Sequence, residues 1–100
     1  MYTIRESLLF QKQVKSIWTD EERSEFFTFL AQNPLIGDVI PQSGGMRKIR
    51  WQSSGHGKRG GARIIYLNFL ENGIIEVVMI YEKKNISNID GKQLAKFKEP

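Results

Sequence analysis

The chain has 100 residues, 40% apolar and 26% charged with a net charge of +4, which allows one small folded domain over residues 1–100 and leaves little beyond the fold itself. No cysteine and only one histidine are present, which excludes disulfides, thiolate metal sites and a cysteine nucleophile and leaves no expectation of a metal or cofactor. No cationic leader precedes a long apolar run, and no apolar stretch nears the roughly 18 residues of a membrane span, so the expected compartment is the cytoplasm, with no membrane partner.

In chain order, Tyr2 to Arg5 reads as a short strand. Phe10, Val14 and Ile17 or Trp18 then recur at helical spacing behind Ser7 as N-cap, which predicts a helix from about residue 8 to 17. Thr19-Asp-Glu-Glu22 has the form of a capping box, and Phe26, Phe27 and Leu30 make an apolar stripe until Asn33-Pro34 ends this second helix. Trp18, Phe26, Phe27 and Leu30 are expected in the core. Pro34 to Gly45 carries Pro, Gly and Ser with little periodicity and reads as a connecting loop.

From Met46 the period changes to two. Strands are predicted at Met46 to Trp51, Ala62 to Leu70 and Ile74 to Tyr81, with Asn72-Gly73 as a two-residue hairpin turn. That turn would set Ile64 opposite Tyr81, Leu67 opposite Val78 and Arg63 opposite Glu82. The middles of the last two strands are apolar on both faces, so both sides of the sheet are expected to be partly covered. Leu94 and Phe97 suggest a short final helix. The expected fold class is α+β, two N-terminal helices packed on a three- to four-stranded antiparallel sheet with a short C-terminal helix.

Charge is unevenly placed along this frame. Residues 1–38 carry four cations and six acids, whereas residues 39–70 carry six cations and no acid. Lys48 and Arg50 share one strand face roughly 7 Å apart, while Arg47, Ile49 and Trp51 take the other. Arg63 opens the next strand, with Lys83 and Lys84 beyond the end of the third. The intervening QSSGHGKRGG reads as a flexible cationic finger bearing His56, Lys58 and Arg59. With Arg47 and Lys83, these three residues are the candidate RNA-binding cations. Cations also keep exposed strand edges from pairing, but that role does not explain the missing acids. Gly55 to Gly60 matches GxGxxG without the βαβ unit that gives the motif meaning, and Trp51 and Tyr66 are read as core rings before base-stacking ones.

The succession of two helices, GGMRKIRW, a glycine-rich basic loop, KRGGARIIY and IYEKKNIS resembles the RelE/ParE superfamily of type II toxins and, within it, the phage-type HigB-like toxins. That resemblance implies a RelE-like fold and a ribosome-dependent mRNA endoribonuclease. Such a toxin cuts the codon bound in the ribosomal A site and is held inactive by a cognate antitoxin protein. It implies catalytic positions at Lys48, Arg50, Arg63 and Lys84. Arg50 stands where the family carries a lysine base and is therefore assigned to charge stabilisation. On this reading Arg50 and Arg63 hold the phosphate oxygens and Lys84 serves the leaving group. Lys48, crowded by cations, is the candidate base, with His56 in reserve. A gyrase inhibitor of the same superfamily and a non-catalytic RNA-binding module are the alternatives.

Overall fold

The computed structural model describes residues 2–52 and 61–82. In chain order these form β1 (Thr3–Glu6), α1 (Leu8–Val14), α2 (Asp20–Gln32), β2 (Asp38–Val39), β3 (Arg47–Trp51), β4 (Ala62–Phe69) and β5 (Ile74–Glu82). The cationic finger and the expected final helix lie outside the described residues.

Both helices begin where the sequence places them. The Ser7 hydroxyl accepts from Phe10 N–H at 3.0 Å, and Thr19 and Glu22 form the reciprocal capping box that satisfies two otherwise orphaned amides. α1 is shorter than expected, ending at Val14, with Ile17 and Trp18 following in a turn but still buried.

The sheet has five strands in the order β1-β5-β4-β3-β2 and is mixed, because β1 pairs with β5 in parallel while the other neighbours are antiparallel. This corrects the expected three or four antiparallel strands. The extra strand, β2, lies inside the stretch expected to be loop; two residues are too few to show a period.

The β4–β5 register also departs from expectation. Leu70–Asn72 form a turn of 3-10 helix closed by Gly73 at φ 72°, so four residues, not two, connect the strands. Leu70, half-buried, packs against the apolar core and Gly73 supplies the left-handed residue. Phe69 therefore faces Ile74, and after a bulge at Val78 the pairs are Ile65 with Met79, Ile64 with Ile80 and Arg63 with Tyr81. Arg63 does not face Glu82; Ala62 does.

One sheet face, here the inner face, is covered by the helices. Phe10, Val14, Trp18, Phe26 and Leu30 pack there on Ala62, Ile64, Tyr66, Ile75, Val77 and Ile80. The outer face carries a second cluster of Met46, Ile65, Leu67, Val78, Met79 and Tyr81, with Leu9, Ile40 and Phe69 against it. The expectation that both faces are covered is met over the middle of β4 and β5.

Candidate functional site

The outer face changes character toward the end of β3 and the start of β4. Alternation along β3 leaves Lys48 and Arg50 exposed on this face and turns Arg47, Ile49 and Trp51, each half-buried, to the other. Antiparallel pairing then sets the neighbours. Asp38 faces Lys48, which faces Ile65; Arg50 faces Arg63, which faces Tyr81. Two rows result, one above the other on the same face. The row Arg50, Arg63, Tyr81 crosses three strands, roughly 10 Å at two interstrand spacings.

Two arginines directly opposite one another repel, and a fold keeps such a pair only where something offsets the cost. Arg63 is half-buried, and its Nη1 is sealed from solvent without a hydrogen-bond partner. A charged donor in that state costs several kcal/mol less once an anion reaches it. At the far end of the same face Arg5 is treated differently, since Glu76 sits opposite it and the pair closes at 2.6 Å. One guanidinium has its carboxylate, and the other has a buried nitrogen without a hydrogen-bond partner.

Tyr81 completes the row. Its ring is 6% exposed, and burial pushes the phenol above its ordinary range, an effect that the nearby Arg63 charge partly offsets. The hydroxyl keeps its proton at neutral pH and is available as a neutral donor.

The candidate residues are not all brought together. Lys48, Arg50 and Arg63 share the outer face. Arg47 lies on the opposite side, where its Nη1 donates to the carbonyls of Gly37 at 2.7 Å and Leu35 at 3.2 Å and so fastens the loop before β2. Trp51 and Tyr66 also face inward. The Trp51 ring packs 5.5 Å from Phe26 and 4.7 Å from Phe29, and the Tyr66 hydroxyl donates to Pro34 O and accepts from Gly37 N–H. Lys83, Lys84, His56, Lys58 and Arg59 lie outside the described residues.

Two members of the face escaped sequence reasoning. Asp38 was counted among the acids of the N-terminal half because its strand is too short to recognise. Tyr81 is expected opposite Ile64, but the longer turn shifts the register by two positions and the bulge at Val78 restores one, which sets it opposite Arg63. Among the described residues no group of three or more His, Cys, Asp or Glu could hold a metal ion, and no helix is long and apolar enough to cross a membrane.

No protein-family model matches the chain. Similar solved structures do exist. The intact Escherichia coli RelBE toxin-antitoxin complex contains a chain that superposes with a TM-score of 0.62 at 16% identity, over 82% of this chain and 96% of that one. An arginine double mutant of E. coli toxin RelE in the free state gives 0.63 at 16% identity, over 86% and 87%. The same mutant in complex with a peptide of antitoxin RelB gives 0.60 at 16% identity, over 86% and 90%. All three superpose over more than four fifths of both chains, and the chain therefore has the RelE-like toxin fold.

Proposed function

We propose that the chain is the toxin of a type II toxin-antitoxin system. In this reading it is a ribosome-dependent endoribonuclease that cleaves mRNA in the A site and is held inactive by a cognate antitoxin protein. The motif Gly57 to Tyr66 points to the phage-type HigB-like branch. The observation that carries the reading is the partnerless Arg63 Nη1 set opposite Arg50, with Lys48 on the same face.

RNA cleavage through its own 2′-hydroxyl needs a proton acceptor, stabilisation of charge on the phosphorane oxygens and neutralisation of the departing 5′-oxygen. Arg50 and Arg63 meet the second need as fixed donors. Lys48 and, in reserve, His56 are the proton acceptors named from the sequence, and Lys84 serves the leaving oxygen. Lys58, Arg59 and Lys83 add charge for the RNA backbone, whereas Arg47, expected among them, is taken up by the loop before β2. Such a surface holds phosphate without forcing the 2′-oxygen into line, so the ribosome supplies the orientation that a free substrate lacks.

The test is to map mRNA 5′ ends in a translation reaction containing the wild-type protein or Arg63→Ala. Cuts at A-site codons are expected with the wild type and a loss of about 100-fold or more with the variant, the usual scale for removing a preorganised donor. Growth inhibition without any cut, or inhibition of gyrase, would replace this reading with one of the non-nuclease alternatives.

A further inference from the structure

Among the described residues, the outer face holds one carboxylate where the basic residues gather. Asp38 faces Lys48 across the β2–β3 ladder, and Ile40, two residues on, packs into the outer cluster, which fixes the face that Asp38 shares. β2 is only two residues long, yet its backbone is anchored on both sides. Before Asp38, the Gly37 amide donates to the buried Tyr66 hydroxyl at 2.8 Å and the Gly37 carbonyl accepts from Arg47 at 2.7 Å. After it, Ile40 N–H donates to Met46 O at 2.9 Å. An exposed acid on a sheet edge does not need such fastening to stay in water. No salt bridge joins Asp38 to Lys48.

Lys48 from β3 faces Asp38, the row Arg50, Arg63 and Tyr81 lies next to it on the same face, and Arg47 and the Tyr66 hydroxyl lie behind. In kind, guanidinium, ammonium and phenol all hold their protons at neutral pH, whereas a carboxylate has lone pairs free to accept one. We infer that Asp38 is the catalytic residue that takes the 2′-hydroxyl proton of the RNA, and that Lys48 keeps its own proton and turns its ammonium to the phosphate. This rests on the nuclease reading above. The 2′-O–H bond breaks with its proton passing to an Asp38 oxygen, the 2′-oxygen bonds to phosphorus, and the P–O5′ bond breaks. The leaving oxygen gains a proton from water. The products are a 2′,3′-cyclic phosphate and a 5′-hydroxyl end, after which Asp38 returns its proton to water.

The experiment measures single-turnover cleavage of mRNA on programmed ribosomes by the wild type, Asp38→Asn and Asp38→Glu between pH 5 and 9, alongside binding to the same ribosomes. Asp38→Asn is expected to cut roughly 100- to 1,000-fold more slowly, within the usual range for losing a general base. Its binding should be equal or tighter, because an anion has left a basic face. Asp38→Glu should recover part of the rate, and the wild-type rate should fall on the acid side. An Asp38→Asn protein that cuts at the wild-type rate, or a wild-type profile without an acid limb, overturns the inference and leaves the nuclease reading standing. Wild-type protein that binds ribosomes and cuts nothing removes both.

Discussion

Gly37 shows how closely single atoms are set around this face. A β-carbon there would lie 2.8 Å from the Tyr66 hydroxyl and 3.0 Å from Lys48 O, both fixed by hydrogen bonding or by the ladder. Gly37→Ala should cost about 1–3 kcal/mol, the scale of overpacking in a core, read as a lowered midpoint in urea unfolding. Tyr66 and Tyr81 give a second expectation. Burial raises both phenols above 10.0, so the folded state favours the protonated form. Their contribution to stability is complete below the unfolded phenol value and is lost as pH rises through the raised folded values. Unfolding midpoints should fall from pH 9 to pH 11, and less so in Tyr81→Phe. At this scale Lys48, Arg50 and Arg63 were legible because a pleat assigns alternate residues to faces without further information. Asp38 was not, because its placement depends on a clamp built from Arg47 and Tyr66, which lie 9 and 28 residues further along the sequence.

Among the elements, α1 and β5 depend most on each other. β1 covers β5 only as far as Val77, and beyond that the start of α1 takes over the bare edge. Ser7 N–H donates to Val77 O at 3.0 Å, the Ser7 hydroxyl donates to Val78 O at 2.5 Å, and Ile80 N–H donates to Gln13 Oε1 at 2.9 Å. The helix thus protects a strand edge that would otherwise be open to pairing with another chain. Ser7→Ala removes the helix cap and leaves the Val78 carbonyl unmet, which should lower stability by roughly 1–2 kcal/mol in urea unfolding. Gly73 and Asn72 explain why the hairpin was located correctly while its register was not. The Asn-Gly pair marked the turn, but Leu70 packs against the edge of the core within a 3-10 turn, which replaces the two-residue connection.

Over the whole molecule the inner face is apolar and covered by helices, while the outer face runs from the paired Arg5 and Glu76 to the row of Arg50 and Arg63. On the nuclease reading proposed above, binding to RNA or ribosomes should weaken steeply with salt. Arg50→Ala should reduce the slope of log affinity against log salt by about one, with Arg5→Ala leaving it nearly unchanged. The α+β class was readable from the change of period at Met46. The mixed sheet was not, because nothing local in Thr3–Glu6 says that its partner lies seventy residues away.

That parallel pairing of the first strand with the last described one has a consequence for synthesis. Thr3 to Glu6 cannot dock until Ile74 to Val77 exist, so a nascent chain carries its opening strand and helix unanchored through most of its elongation. The cationic row spans β3, β4 and β5 and is finished at the same late moment. A peptide cut short before β5 lacks both the partner of its opening strand and the third strand of the cationic row.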